Sequence, residues 1–338
     1  MQKDQIDTLK TLLAEPKKIV IVPHKNPDGD ALGSTLGLYQ FLRKQGHDAT
    51  VVAPNDYPKF LKWLPAEDTI IKFDQENGRA IRLIEEAELI FTLDFNSLPR
   101  TGDMEKPLAN AKAKYIMIDH HQQPDDYAVV TLSDVTASST CEMVYRTLAA
   151  LDGTDMIDQD IATCLYTGIM TDTGSFRFSA CTAATHRVIA DLIGKGADHT
   201  FIHQQIYDAN SETRMQLLGT ALSNLKVLSE YKTAYITLTQ EELDRHDYQK
   251  GDTEGFVNYG LAVDGVVLAF IFIENEQEGI IKISLRSKGD FSVNEMSRKY
   301  FSGGGHTNAA GGKSDLNMQE TIEKLLEILP EYKAELHA

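Results

Sequence analysis

Along the first half of the chain, short apolar runs alternate with segments whose apolar residues recur at helical spacing. The runs predict strands over 18–23, 49–53, 69–73, 88–93, 113–118 and 129–132. Helical spacing predicts helices over 31–45, 79–87, 138–150 and 157–170, with a short amphipathic one over 1–15. Strands alternating with helices imply an α/β fold with a doubly wound, mostly parallel sheet. Residues 182–230 read as helical almost throughout, with 211–229 expected as a long connecting helix. The pattern then turns β-rich over 233–238, 266–273 and 280–285, passes a glycine-rich loop at 303–312 and closes in a helix over about 317–337. The expected organisation is an N-terminal domain over 1–190, a helical linker over 191–230 and a smaller α+β domain over 231–338.

Several of these elements end in side chains that packing does not require. Ile116-Met117-Ile118 runs into Asp119-His120-His121. The run Ile19–Val22 leads through Pro23 into His24-Lys25-Asn26-Pro27-Asp28-Gly29-Asp30, and 88–93 leads into Asp94. The carboxyl ends of strands in open α/β sheets are where ligand sites form. A fourth stretch, Thr171-Asp172-Thr173-Gly174, follows an apolar helix, and its small residues allow close backbone approach. Taken singly, each has a plainer reading. Asp30 would cap a helix starting at Ala31, Asp94 would open a turn, His120 and His121 would be hydrogen-bonded loop residues, and Asp172 would sit at a helix C-cap.

Together they supply four or five carboxylates and two or three imidazoles without a thiolate. That set suits Mn²⁺ ahead of Mg²⁺ or Zn²⁺. It is also too many ligands for one ion, so two ions ~3.5–4 Å apart, sharing a carboxylate, are expected. Cys141, Cys164 and Cys181 form no C-x-x-C pair, and all three are expected to be buried hydrophobes.

Charge and hydropathy narrow the partners. The chain carries 33 Lys and Arg against 50 Asp and Glu, a net charge of −17. Long nucleic acid, held through many phosphate contacts, would be repelled. No apolar run approaches the ~20 residues of a membrane span, and no signal-peptide pattern opens the chain, so the expected location is the cytoplasm with no membrane partner. Downstream, Gly303-Gly304-Gly305-His306 with Gly311-Gly312 offers an anion-binding backbone. It lacks the Lys-Ser/Thr ending of a P-loop. Gly304, Gly305, His306 and Arg286 are the candidates for holding a substrate phosphate.

These motifs, in this order and over nearly the whole chain, resemble the DHH phosphoesterases, named for the triplet seen here as Asp119-His120-His121. The resemblance makes 1–190 a metal-binding catalytic domain and 231–338 a DHH-associated substrate-binding domain. It implies that His24, Asp28 and Asp94 hold one ion, and that Asp30, Asp94, His120 and Asp172 hold the other. His121 would then act beside the scissile phosphate, and Asp119 would orient an imidazole without itself being a ligand. Arg286 and His306 would bind substrate phosphate. The compact two-domain form is most similar to the nanoRNases that also dephosphorylate 3′-phosphoadenosine 5′-phosphate (pAp). The implied activity is hydrolysis of short oligoribonucleotides to mononucleotides, with linear or cyclic dinucleotides such as pApA and cyclic-di-AMP as alternative substrates. A regulator that binds nucleotide without turnover would tolerate losses among the ligands, and none is seen. The pattern leaves open monomer or homodimer.

Overall fold

The computed structural model describes residues 2–338 and divides into two compact units, Met1–Ala209 and Asn210–Ala338. In the first, α1 (Lys3–Leu12) precedes β1 (Lys18–Pro23), α2 (Gly29–Lys44), β2 (Asp48–Ala53), β3 (Ile71–Lys72), α3 (Asn77–Glu86) and β4 (Leu89–Leu93). Then come α4 (Glu105–Ala109), β5 (Lys114–Asp119), β6 (Val130–Ser133), α5 (Thr140–Ala150), α6 (Gln159–Asp172), α7 (Ala183–Gly194) and α8 (His199–His203), the last continuing into a π-helical turn at Gln204–Asp208. Met1, the first residue of the helix expected over 1–15, lies outside the described residues.

The six strands pair in the order β3-β2-β1-β4-β5-β6, and every pairing is parallel. Both faces are covered, which is why the strands read as continuous apolar runs. Ile19 and Ile21 of β1 enter one core with Leu32, Leu36, Phe41 and Ile169, while Val20 and Val22 enter the other with Ile84, Met104 and Leu108.

The second unit holds α9 (Glu212–Ser223), β7 (Lys226–Leu228), β8 (Thr233–Leu238), α10 (Gln240–Arg245), α11 (Val257–Leu261), β9 (Leu268–Asn275) and β10 (Ile280–Ser287). It closes with α12 (Val293–Tyr300), β11 (Gly304–His306), β12 (Ala309–Ser314) and α13 (Met318–His337). The sheet order is β11-β12-β10-β9-β8-β7, with β8 and β9 parallel and the other pairs antiparallel. Alternate β9 residues face two cores: Phe270 and Phe272 pack with Met296 and Leu325, Ala269 and Ile271 with Leu217 and Phe256.

Local expectations needed revision in places. The helix expected over 211–229 stops at Ser223, and residues 226–228 form an edge strand. Residues 191–230, expected as one linker, break at Gly196 (φ 103°) and again at 209–211, so their first part packs into unit 1 and their second into unit 2. The glycine-rich segment is the β11–β12 hairpin, not an open loop. Cys141 and Cys164 are buried, but Cys181 is only half-buried in the coil before α7. Among the described residues no helix is long and apolar enough to cross a membrane.

Candidate metal centre

The strand order reverses beside β1: the chain runs outward to β2 and β3, then returns to place β4 on the other side. At that switch point the carboxyl ends of neighbouring strands diverge and leave a crevice. Pro23 pairs with Leu93, and Leu93 with Ile118, so His24, Asp94 and Asp119 leave the sheet in one row. Asp94 takes φ 65°, a left-handed conformation that Asp tolerates better than most residues.

Two helices bring the remaining carboxylates. Asp28 is the N-cap of α2, its Oδ1 accepting from the N–H groups of Asp30 and Ala31 at 3.0 Å each. The cap is therefore Asp28, and not Asp30 as expected. Asp30 is freed to reach α5, where Oδ2 accepts from Thr140 N–H at 2.6 Å and Oδ1 from Cys141 N–H at 2.8 Å. A helix N-terminus has unpaired N–H groups and a positive dipole end that suits a carboxylate. Asp172, the last residue of α6, arrives because α2 and α6 approach closely. Gly29, Gly33 and Gly37 recur every four residues along one face of α2. A Cβ at Gly33 would strike the Cys164 carbonyl, and one at Gly168 would strike Cys141 Sγ.

The ligand atoms fall into overlapping groups. His24, Asp28 and Asp94 form one, and Asp30, His120 and Asp172 another, each with its candidate atoms within 4.8 Å of one another. His24 Nε2 lies 3.4 Å from Asp94 Oδ2 and 3.9 Å from Asp28 Oδ2. His120 Nε2 lies 3.4 Å from Asp172 Oδ2, 3.6 Å from Asp94 Oδ1 and 3.8 Å from Asp30 Oδ2. Asp94 thus turns one oxygen to each group. Backbone carbonyls set the imidazole tautomers: Nδ1 of His24 faces Lys25 O at 2.8 Å and Nδ1 of His120 faces Ala137 O at 3.2 Å. With the proton on Nδ1, each Nε2 lone pair is left for a ligand. His121 Nδ1 instead bonds Asp119 Oδ1 at 2.7 Å.

Such crowding is electrostatically expensive. Burial, then the Asp94 and Asp172 charges, push the Asp30 carboxyl well above its ordinary range. Burial pushes Asp94 upward too, but His24, His121 and His120 outweigh it and hold the carboxyl far below that range. Burial would lower His120, yet Asp172, Asp30, Asp94 and Asp119 raise it to about 9. Asp119 is fully buried, and its Oδ2 finds no hydrogen-bond partner among the described residues. Carboxylates and imidazoles packed this tightly fit a divalent cation, which would displace the imidazole protons and offset the repulsion of the carboxylates. Burial pushes the thiol of Cys141 well up, and its Sγ lies 3.5 Å from the Asp30 carbonyl, so it is no thiolate ligand.

His24, Asp28, Asp30, Asp94, Asp119, His120, His121 and Asp172 are all brought together within unit 1. Arg286, Gly304, Gly305 and His306 lie in unit 2. There Arg286 and His306 both register with Ala309, so they occupy one row on one face, with a small residue between them. Gly305 takes φ 154°, a Cβ there would strike Ala309 O, and its N–H donates to buried Asn294 Oδ1 at 3.0 Å.

Thr140, Gly168 and Asn294 were not anticipated. Ser138-Ser139-Thr140 before an apolar run does signal a helix start, but not which carboxylate meets it.

Comparison with known proteins places the chain in a family. Residues 18–169 match the DHH family, N-terminal domain, and residues 213–335 the DHHA1 domain. The chain is 31% identical over 323 residues to the bifunctional oligoribonuclease and PAP phosphatase NrnA of Thermus thermophilus, covering 95% of this chain and 92% of that one. It is 28% identical to the cyclic-di-AMP phosphodiesterase GdpP of Geobacillus thermodenitrificans, across 96% of this chain and 49% of that protein. The crystal structure of an exopolyphosphatase-related protein from Bacteroides fragilis superimposes with a TM-score of 0.95 at 41% identity, covering 100% of this chain and 98% of that one. The strand-end carboxylates, the paired imidazoles and these matches together establish that the chain belongs to the DHH family.

Proposed function

We propose that this protein is a two-metal phosphoesterase that hydrolyses oligoribonucleotides a few residues long to mononucleotides and removes phosphate from pAp. The observation that carries this reading is Asp94, whose two oxygens face separate ligand groups 3.4 Å and 3.6 Å away. One ion, Mn²⁺ or Mg²⁺, would be held by His24, Asp28 and Asp94, and a second by Asp30, Asp94, His120 and Asp172. Bound there, the ions would acidify a water and neutralise charge on the phosphoryl oxygens. Water adds to phosphorus as the P–O ester bond breaks, and the departing oxygen takes a proton. His121, its Nδ1 held by Asp119 Oδ1, is the group placed to stabilise or supply it. In unit 2, Arg286 and His306, with the Gly304 and Gly305 backbone, would bind a substrate phosphate. Residues 1–190 would then carry the chemistry and 231–338 the substrate contacts.

A second reading, hydrolysis of linear or cyclic dinucleotides, draws on the likeness to GdpP. One assay separates them: 5′-labelled oligonucleotides of graded length, pAp, pApA and cyclic-di-AMP, each with Mn²⁺ or Mg²⁺. Rates highest on short RNA and pAp support the first reading. Inertness of both sinks it.

A further inference from the structure

Immediately beyond Asp172 the chain makes a turn that ordinary packing does not favour. Gly174, Ser175 and Phe176 are successively left-handed, at φ 57°, 60° and 65°. Such a conformation is disfavoured wherever a Cβ is present, and it concentrates at functional sites. Here it is held closed. Ser175 N–H donates to Met170 O at 2.8 Å, Phe176 N–H to Thr173 Oγ1 at 3.0 Å, and Arg177 N–H to Thr173 O at 2.9 Å. Arg177 is thereby fixed beside the residue that follows Asp172. Its Nε donates to Gly174 O at 2.7 Å, and its terminal nitrogens carry no partner among the described residues.

Facing this turn is the π-helical turn after α8, a rare element often found at functional sites. The rings of His203 and Tyr207 lie there with centroids 4.7 Å apart. Ser175, Arg177, His203 and Tyr207 line an open groove of about 300 Å³. That is the small end of ligand pockets, ~300–1,000 Å³, so it suits one nucleoside and not a strand. Two rings supply a stacking surface, and an arginine supplies a donor for a phosphate or ribose oxygen. None of these four residues belongs to the ligand groups around Asp94.

We infer that this groove takes the second nucleoside of a dinucleotide, the one across the scissile phosphate from the first. The inference rests on the hydrolase reading above and adds a specificity determinant to it. A dinucleotide fills the groove, whereas pAp, with a single nucleoside, does not need it.

The test compares wild type with Tyr207→Ala, Tyr207→Phe and Arg177→Ala. In the Mn²⁺-loaded full chain, the ratio of kcat/KM on a diadenylate to kcat/KM on pAp is expected to fall at least tenfold in both alanine variants. Loss of one base stack produces a change of that order. Tyr207→Phe keeps the ring and should keep the ratio. Equal losses on the two substrates, or an unchanged ratio, overturn the inference. Calorimetric titration of the same diadenylate without divalent ion separates the two claims. If wild type binds it but cleaves neither substrate, the hydrolase reading fails and the groove stands on a tenfold affinity loss in Tyr207→Ala. Equal affinity in that variant overturns the groove.

Discussion

The Thr140 hydroxyl donates to Asp94 Oδ1 at 2.9 Å, while the backbone N–H of the same residue donates to Asp30 Oδ2 at 2.6 Å. One fully buried residue therefore orients two of the proposed ligands. Removing only the hydroxyl, in Thr140→Val, should weaken Mn²⁺ binding about 10–100-fold, the usual range for groups that orient ligands. Thr140→Ser should restore it. Titration calorimetry reads this directly, and equal affinity in the valine variant would show that Asp94 needs no such support.

Asp94→Ala should be the most damaging single change, because it removes a ligand from both proposed ions. Activity below about a tenth of wild type is expected, with Mn²⁺ stoichiometry falling as well. A variant that keeps two ions and more than that activity contradicts the shared-carboxylate role.

Gly168→Ala adds one methyl where Cys141 Sγ and the Asp30 carboxylate already sit. Overpacking of this kind costs about 1–3 kcal/mol. A lower melting temperature is expected for the apoprotein, with weakened metal binding, since the methyl strikes Cys141 Sγ first and presses on Asp30 beside it. Melting and binding that match wild type would mean α2 and α6 can separate freely.

Arg286→Ala and His306→Ala should raise KM more than they lower kcat. Both are assigned to a remote phosphate, where binding is shared by ground and transition states. Steady-state kinetics on a dinucleotide decides it, and a pure kcat loss would move these residues to the chemistry.

Away from the site, Asp56 provides a pH signature. Burial pushes its carboxyl up, but Lys62 at 2.9 Å and Lys72 at 3.0 Å outweigh that and hold it at about 2. Its folded value lies below the unfolded ~3.9. The stabilisation is therefore present above about pH 4 and lost as pH falls towards 2. Partial exposure limits it to under ~1 kcal/mol. Asp56→Asn should melt below wild type at pH 7 and match it at pH 2. A gap that persists at pH 2 would point to packing and not charge.

Much of this protein was legible in its residues. Unbroken apolar runs ending in Asp94 and Asp119-His120-His121 marked a buried parallel sheet with chemistry at its carboxyl edge, because period and strand-end composition are local properties. The glycine hairpin was harder to read, since Gly304–His306 become a strand only by pairing with Ala309–Gly311. The end of α9 was missed for a similar reason: residues 226–228 leave the helical pattern to pair with β8.

By itself the sequence determined the α/β class and the family, since each is written in contiguous motifs. Only the tertiary structure decided that Asp28 caps α2 while Asp30 reaches α5. It alone showed that Thr140 joins Asp30 to Asp94, and that Asp94 turns one oxygen to each imidazole. The two bonds of Thr140 join residues 46 and 110 positions apart. They depend on helices drawn together at glycines and on strands in register, and no local pattern encodes such distances.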